Sequence, residues 1–312
     1  MTPAPGAHHA GLPVVWHEAY EVDIGPHVFP TAKYRLIRDR LIAEGTLVPA
    51  DLRRPNRATD DEVRLVHTAA YVAKIREDRL TLAERMTLEV PFSAALREAS
   101  WLCAGGAMLT ARLARATRVA VHLGGGFHHA FPDHGEGFCL LNDVAIAIRA
   151  LRRAGEIRRA MVIDCDVHHG NGTATVFAGD PEVLTFSIHQ EHNYPAWKPP
   201  GDIDIGLDDG AGDDEYLTAL TARVPLALER HRPDLVWYLA GADPYCEDQL
   251  GGLALTVAGL RRRDELVLGW CGERDIPVAI ALAGGYARRQ EDTIEIHCNT
   301  VRAALAHVTG QA

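Results

Sequence analysis

Residues 160–172 read Ala-Met-Val-Ile-Asp-Cys-Asp-Val-His-His-Gly-Asn-Gly, an apolar run that passes directly into acidic and imidazole side chains. A short run that is apolar at nearly every position is typical of a strand covered on both faces, as in a parallel sheet. Similar Val- and Ile-rich runs recur along the chain and alternate with longer segments of helical period. This alternation predicts an α/β fold in which helices flank a mostly parallel central sheet.

The same patterns place the individual elements. The predicted strands are the short apolar runs at 13–16, 118–122, 160–164, 183–188, 234–239 and 277–282. The predicted helices have apolar residues three and four positions apart, and they span 32–44, 61–78, 93–116, 141–154, 213–231, 256–274 and 290–308. The irregular stretch 123–137 holds five glycines, and loops of this length are usually functional. We expect a single domain over residues 1–312, with a flexible N-terminus of about twelve residues.

Composition excludes several classes of protein. The chain has 312 residues, of which 47% are hydrophobic, and a net charge of −10. This charge argues against direct nucleic-acid binding and favours cationic partners. No apolar run reaches the ~18 residues of a membrane span, and no secretory signal is recognised. The six cysteines are scattered, as expected of buried thiols in a cytoplasmic protein. The sequence leaves the oligomeric state open.

Chemically active side chains cluster where the predicted strands end. In a parallel sheet these ends meet at one edge, where open α/β sheets bind ligands. We therefore expect one site there, formed by His128, His129, Asp164, Asp166, His168, Ser187, His189, Asp243 and Tyr286.

Asp166 and His168 suit a metal ion. Residues two apart on an extended segment share a face, so Asp164, Asp166 and His168 point the same way. Asp243, from a later strand end, completes a set of three protein ligands with an open position, as in catalytic metal sites. The alternative is that Asp164 or Asp166 caps a helix beginning near Asn171.

A histidine pair, His128-His129, follows the glycine run at 124–126. Adjacent imidazoles suit acid–base chemistry when each is held by a different acceptor, because the acceptor fixes the tautomer and tunes the pKa. The alternative is an ordinary exposed or hydrogen-bonded pair. Tyr286, after Gly284-Gly285, suits a hydroxyl donor aimed at a substrate carbonyl.

Taken in order, these motifs resemble the histone deacetylase family of the arginase–deacetylase superfold. The resemblance runs from about Val14 to Leu305. The segments 250–256 and 277–286, with Arg263-Asp-Glu-Leu between them, are most similar to the class IV branch. The motifs are Gly-Gly-Phe-His128-His129, Gly137-Phe138-Cys139, Asp164-x-Asp166-x-His168-His-Gly-Asn171-Gly, Gly241-Ala-Asp243 and Gly-Gly-Tyr286.

The resemblance implies a three-layer fold and a zinc-dependent amidohydrolase that acts on acylated lysine. Asp166, His168 and Asp243 would hold Zn²⁺, with Fe²⁺ as an alternative because these ligands do not select strongly between the two. His129 would be the general base, oriented by Asn171. His128, paired with Asp164, would be an electrostatic element, and Tyr286 would donate to the developing oxyanion.

The resemblance also implies a substrate tunnel and a structural K⁺ ion. Gly137, Phe138 and Leu250 would line the tunnel around the lysine methylenes, with Tyr194 as the second aromatic wall. The K⁺ would lie against the 164–168 segment and be held by Asp164, Asp166, His168, Ser187 and Ile188. Glycines 124–126, 251 and 252 suggest room for a long acyl chain.

The chain departs from the family pattern at four places, one of which is the second tunnel wall, where Tyr194 replaces a residue that is often Phe. Some relatives have Asp where this chain has Asn171, and a neutral amide raises imidazole basicity less than a carboxylate does, which predicts a lower pH optimum. The acidic rim residue that grips the substrate backbone has no clear match, and Glu89 and Asp133 are the substitutes. The start reads His27-Val-Phe-Pro30 where many relatives have His-Pro.

Four functions are compatible with these residues. The first is deacylation of acyl-lysine in peptides or proteins, with acetyl or long-chain acyl groups. The second is cleavage of acetylpolyamines or other acylated amines. The third is a binding module without turnover, and the fourth is a two-metal arginase-like hydrolase, which requires more carboxylate ligands.

Overall fold

A computed structural model describes residues 11–310 and contains one eight-stranded sheet. Every strand pair is parallel, and the spatial order is β2-β1-β3-β8-β7-β4-β5-β6. The strands are β1 (Val14–Val15), β2 (Leu52–Arg53), β3 (Val119–His122), β4 (Ala160–Asp164), β5 (Val183–Gln190), β6 (Ile203–Leu207), β7 (Leu235–Leu239) and β8 (Val278–Ala281). The predicted parallel sheet is confirmed.

Ten α-helices connect the strands in the described part of the chain. They are α1 (Lys33–Ala43), α2 (Asp60–Val63), α3 (Ala69–Arg76), α4 (Leu82–Leu88), α5 (Ala94–Thr117), α6 (Asp143–Arg153), α7 (Asn171–Phe177), α8 (Asp213–His231), α9 (Val257–Gly272) and α10 (Gln290–Thr309). Within residues 11–310, no helix has the length and apolar character needed to cross a membrane.

The sheet is covered on both faces, which explains why its central strands are apolar throughout. In β4, Val162 packs with the core that contains α5 and α6. Its neighbours Met161 and Ile163 pack with the opposite core, which contains residues of α8, α9 and α10. Because successive side chains of a strand point to opposite faces, each central strand contributes to two cores. The result is the expected three-layer arrangement of helices, sheet and helices.

Several predicted boundaries differ from the structure. The predicted helix 61–78 is two helices, α2 and α3, because buried His67 bonds the backbone of Phe131 and Asn142 between them and Thr68 caps the second helix. The short elements α4, β2 and β6 were not predicted, and α7 begins at Asn171, where the sequence suggested the start of a helix. Of the predicted flexible N-terminus, residues 1–10 lie outside the described residues, and Leu12 is already buried.

A buried arginine links two loops at the carboxyl edge of the sheet. Arg263 of α9 donates through Nη1 to the carbonyl of Gly241 at 2.7 Å and to that of Cys165 at 3.3 Å. These carbonyls follow β7 and β4, and the adjacent Asp264 accepts from the guanidinium. The hydrogen bonds of Arg263 therefore fix the loops after β4 and β7 relative to each other.

Candidate active site

Asp166, His168 and Asp243 converge at the carboxyl edge of the sheet. Nδ1 of His168 lies 3.0 Å from Oδ1 of Asp166 and 3.4 Å from Oδ2 of Asp243. All three are buried, and each offers a ligand atom within 4.8 Å of the others. No other group of three or more His, Cys, Asp or Glu side chains within residues 11–310 meets this condition. Among residues 11–310 the structure thus offers one cluster that could hold a metal ion, not the carboxylate-rich pair of sites that a two-metal hydrolase requires.

The electrostatics of the cluster fit a divalent cation. Burial and the neighbouring Asp166 carboxylate raise the pKa of Asp243, because like charges repel strongly away from water. Oδ2 of Asp243 has no hydrogen-bond partner among the described residues, and buried polar atoms are rarely left unpaired. An imidazole and two carboxylates, one with an unpaired oxygen, form a ligand set for a metal with open coordination positions.

The backbone holds these side chains in place. The amide of Val167 donates to Oδ1 of Asp243 and the amide of Gly284 donates to Oδ2 of Asp166, both at 2.8 Å. A Cβ at position 284 would lie 2.0 Å from Oδ2 of Asp243, so only glycine fits there. The neighbouring strands β8, β7 and β4 therefore bring the 284, 243 and 166 segments together.

Neither carboxylate of the 164–166 segment caps α7, which rules out the alternative interpretation. Gly170 is the N-cap residue, and no side chain caps this helix. Instead, Oδ1 of Asp164 accepts from the amide of Asp166 at 3.1 Å, and Oδ1 of Asp166 accepts from the amide of His168 at 3.0 Å.

His128 and His129 each have their own acceptor. Nδ1 of His128 donates to Oδ2 of Asp164, and Nδ1 of His129 donates to Oδ1 of Asn171, both at 2.7 Å. The two Nε2 atoms lie 3.1 Å apart, and both rings are buried. The arrangement is not that of an ordinary exposed pair.

The two imidazoles differ in charge. Burial alone would lower the pKa of His128, but the carboxylates of Asp164 and Asp166 raise it to about 9. Burial and the positive charges of His128 and His168 hold the pKa of His129 well below 6.5. His128 is therefore protonated and His129 neutral near pH ~7, so His129 is the ring able to accept a proton.

The glycine run positions this pair through a buried carboxylate. Asp143, the first residue of α6, accepts from the amides of Gly126 and Phe127 through Oδ1, at 3.1 and 2.9 Å. Gly126 has φ +82°, and a Cβ there would lie 2.9 Å from Cα of Ala283. The turn before His128 therefore needs glycine and the Asp143 anchor.

Tyr286 lies across the cluster from the histidines. Its ring centroid is 6.3 Å from that of His168, and its amide donates to Oδ2 of Asp248 at 2.7 Å. Burial, together with Asp166 and Asp243, raises the pKa of Tyr286 well above 10. Its hydroxyl therefore keeps its proton and can only act as a neutral donor or acceptor.

A narrow cavity of about 150 Å³ opens onto this cluster. It is lined by all four predicted tunnel residues together with parts of the site: Glu89, His129, Gly137, Phe138, His168, Asn193, Tyr194, Leu250 and Tyr286. Of the two proposed rim residues, Glu89 lines the cavity. Asp133 does not, and its side chain is 72% exposed and paired with His134.

The glycines expected to leave room for a long acyl chain do not line this cavity. A Cβ at Gly125 would lie 2.1 Å from Oδ2 of Asp143, and one at Gly251 would lie 2.2 Å from the carbonyl of Asp243. Added side chains at Gly124, Gly126 and Gly252 would also contact packed atoms. These glycines permit close packing and do not create space.

The residues predicted to hold K⁺ lie on two adjacent strands and in the loop that follows the first of them, which carries Asp166 and His168. Asp164 and Ser187 are paired across β4 and β5, and Ile188 is the next residue of β5. Oγ of Ser187 lies 2.9 Å from Nδ1 of His189. The 164–168 segment therefore runs beside Ser187 and Ile188.

Sequence reasoning assigned no role to Lys33 and Asp248, which lie behind the cluster. Lys33 is fully buried and donates through Nζ to the carbonyl of Ala283 at 2.7 Å. Burial lowers its pKa to about 8, opposed by Asp243, Asp166 and Asp248. Asp248 also accepts from the amide of Leu250 at 2.8 Å, so it holds both Tyr286 and a tunnel wall. No periodic pattern marks either residue.

Comparison with known proteins identifies the family. The histone deacetylase domain matches residues 27–301. Histone deacetylase 2 of Arabidopsis thaliana is 31% identical over 284 residues, covering 86% of this chain and 73% of that protein. A probable deacetylase of Methanothermobacter thermautotrophicus is 31% identical over 278 residues, covering 83% of this chain and 81% of that protein. This chain therefore belongs to the histone deacetylase family.

Two further matches cover nearly the whole chain, and one of them is a solved structure that shows the fold. An uncharacterized protein of Picosynechococcus is 41% identical over 295 residues, covering 94% of this chain and 98% of that protein. The crystal structure of the HDA15 HD domain superposes with a TM-score of 0.76 at 24% identity, covering 97% of this chain and 93% of that chain. The latter likeness shows the arginase/deacetylase-like fold alone. These matches leave the class IV assignment a prediction.

Proposed function

We propose that the protein is a metal-dependent hydrolase of the N-acyl-lysine amide. Membership of the histone deacetylase family supports hydrolysis of acetylated amides. The observation that carries the proposal is that His129, His168 and Tyr286 all line the inner end of the narrow cavity. A general base, a metal-ligand cluster and a hydroxyl donor thus face one reacting group.

The geometry supports a role for each side chain. A divalent cation held by Asp166, His168 and Asp243 would polarise the acyl carbonyl and activate water. His129 holds its proton on Nδ1, which donates to Asn171, so its Nε2 takes the proton of the attacking water and then returns it to the leaving amine.

The remaining two groups stabilise charge. His128, protonated and paired with Asp164, contributes positive charge as the oxyanion develops. Tyr286 donates its hydroxyl to the carbonyl oxygen as that oxygen becomes negative. Because every one of these positions carries a competent residue, we favour an enzyme over a binding module.

We also propose that K⁺ binds between the 164–168 segment and Ser187-Ile188. The adjacency of β4 and β5 at this point supports a cation site that joins the two strands. Its role would be structural, because it stiffens the segment that carries Asp166 and His168.

The shape of the cavity supports a short acyl group. At about 150 Å³ it is smaller than the ligand pockets of roughly 300–1,000 Å³ found in most proteins. Phe138 and Tyr194 form aromatic walls suited to a lysine methylene chain, and the ring of Tyr194 lies 5.0 Å from that of His129. Acetyl-lysine fits this space better than a long-chain acyl group. An acylated polyamine is the second candidate, since it presents the same methylene chain ending in an acylated nitrogen.

A substrate panel tests the proposal. We expect metal-defined protein to release acetate from acetyl-lysine peptides with a kcat/KM at least about tenfold above that for palmitoyl-lysine peptides. Acetate and free fatty acid are measured directly, with acetylspermidine as the third substrate. Turnover of acetylspermidine alone would favour the second candidate. Absence of turnover on all three would contradict the hydrolase assignment.

The pH dependence of turnover follows from the His129 ring. Its pKa is lowered by burial and by the positive charge of His128, and a divalent cation held by a neutral His168 would act in the same direction. The neutral base is therefore present above this lowered pKa and is lost as the pH falls through it. We expect the acid limb of kcat/KM against pH to lie below pH 6.5, the ordinary value for histidine.

The measurement is a kcat/KM profile on an acetyl-lysine peptide from about pH 5 to about pH 9. Recovery of full activity after return to neutral pH controls for acid unfolding and metal loss. An acid limb at or above the ordinary histidine pKa would show that His129 is not the base.

A further inference from the structure

A carboxylate lies directly behind the amide that orients His129. Oδ1 of Asn171 faces Nδ1 of His129, and Nδ2 of Asn171 donates to Oε1 of Glu136, with both distances 2.7 Å. Asn171 is 1% exposed and His129 is 5% exposed. The three residues form a continuous chain of hydrogen bonds that starts at the reacting imidazole and ends on an anion.

The carboxylate decides which way the amide points. The NH₂ group of asparagine is only a donor and its carbonyl only an acceptor. If the amide of Asn171 were reversed, its carbonyl oxygen would face the Glu136 carboxylate and its NH₂ group would face Nδ1 of His129. With Glu136 ionised, the amide oxygen must face His129, so the proton of His129 must be on Nδ1.

Glu136 is held as an anion beside solvent. Burial alone would raise its pKa, but hydrogen bonds from His134, Asn171 and Tyr194 together lower it. Its Oε2 lies 3.5 Å from Nε2 of His134, and its side chain is 17% exposed. Glu136, His134 and Asn171 also line a second cavity, of about 650 Å³, that opens beside Trp197. A neutral side chain at position 136 is therefore compatible with the fold.

We propose that Glu136 is a positioning residue that acts on His129 through the amide of Asn171. The negative charge that stabilises protonated His129 is on Glu136, which is hydrogen-bonded to Asn171. Asn171, the side chain that contacts the imidazole, is itself neutral. This inference rests on the proposed function of His129 as general base. It also alters the expectation for Asn171→Asp, because a second carboxylate at position 171 would lie against Glu136.

Three variants test the proposal by moving the charge, and a fourth is the control. In Glu136→Gln the anion behind the amide is lost, and we expect kcat to fall about ten- to a hundredfold with KM little changed. Asn171→Asp places two carboxylates in contact, and we expect a loss at least as large. In Glu136→Gln/Asn171→Asp one carboxylate touches His129 and a neutral amide lies behind it, so we expect most of the lost kcat to return. Glu77→Gln is the matched control, because Glu77 is 57% exposed and pairs with Arg79.

Recovery in the double variant separates positioning from a structural role, because two destabilising changes would not cancel. The proposal is overturned if the double variant is no more active than Asn171→Asp, or if Glu136→Gln keeps wild-type kcat. Nitrogen NMR of the His129 ring gives a readout that needs no turnover. We expect the proton of His129 to lie on Nδ1 in the wild type and its resonance to move upfield in Glu136→Gln, because an amide without an anion behind it is a weaker acceptor, and an unchanged resonance would refute the proposal. A wild type without amidase activity would refute the proposed function and leave the NMR test valid.

Discussion

His168→Ala is expected to abolish both turnover and tight metal binding. His168 contributes the one nitrogen of the cluster, and its Nδ1 lies within 3.4 Å of both carboxylates. Without it, Asp166 and Asp243 remain as two buried anions that hold a cation with fewer ligands. Because a catalytic metal contributes several kcal/mol, we expect a loss on the order of a thousandfold or more in kcat/KM.

The measurement combines metal analysis of dialysed protein with acetate release from an acetyl-lysine peptide. His307→Ala is the matched control, because His307 lies on α10 and is not among the residues that line the site. Asp243→Asn provides a second variant of nearly unchanged shape that removes one carboxylate. Retention of one equivalent of zinc or iron in His168→Ala would show that the ligand assignment is wrong. Two tightly bound transition metals in the wild type would favour a two-metal mechanism.

A metal held by these ligands also stabilises the fold. A ligand that binds only the folded state raises the free energy of unfolding in proportion to the logarithm of its concentration over Kd. Removal of the cation by a chelator leaves the Asp166 and Asp243 carboxylates adjacent and buried. The wild type should therefore lose thermal stability on chelation, and His168→Ala should not respond to the chelator.

The strand-end residues could be placed from sequence because two regular patterns agree there. Side chains alternate along a strand, so the spacing of Asp164, Asp166 and His168 puts them on one face. Parallel strands end at the same edge, so Asp243 was predicted to join them. Neither step requires knowledge of distant contacts. The structure brings Asp166, His168 and Asp243 together, but β4 ends at Asp164 and residues 166–168 form a bend, so strand alternation does not continue to His168.

Glu136 and Lys33 could not be assigned a role in the same way. Glu136 reaches Asn171 from an irregular loop, with a separation of 35 residues, and Lys33 reaches Ala283 across 250 residues. Irregular backbone has no period from which the direction of the Glu136 side chain can be inferred. Lys33 begins α1, but helical period does not reveal a partner so distant in the sequence. The edge strand β6 was missed for a related reason: its first four residues alternate between half-buried and exposed, and it includes an aspartate and a glycine.

Tyr286→Phe is expected to lower kcat by about a hundred- to a thousandfold while metal content stays unchanged. Donors that stabilise an oxyanion typically contribute this amount, since their hydrogen bond strengthens only as negative charge develops on the carbonyl oxygen. Burial and the nearby carboxylates keep the hydroxyl protonated. Tyr286 is not one of the three proposed metal ligands, Asp166, His168 and Asp243. KM should therefore change much less than kcat.

The experiment compares single-turnover rates, KM and metal content of Tyr286→Phe with those of Tyr245→Phe. Tyr245 is the control because its hydroxyl points to Asp292, at 3.5 Å, and not into the cavity. Wild-type kcat in Tyr286→Phe would mean that the oxyanion is stabilised elsewhere. An equal loss in both variants would indicate a general effect on the fold. A rise in KM with unchanged kcat would place Tyr286 among the groups that bind the ground state, because an interaction present equally in ground and transition states does not accelerate the chemical step.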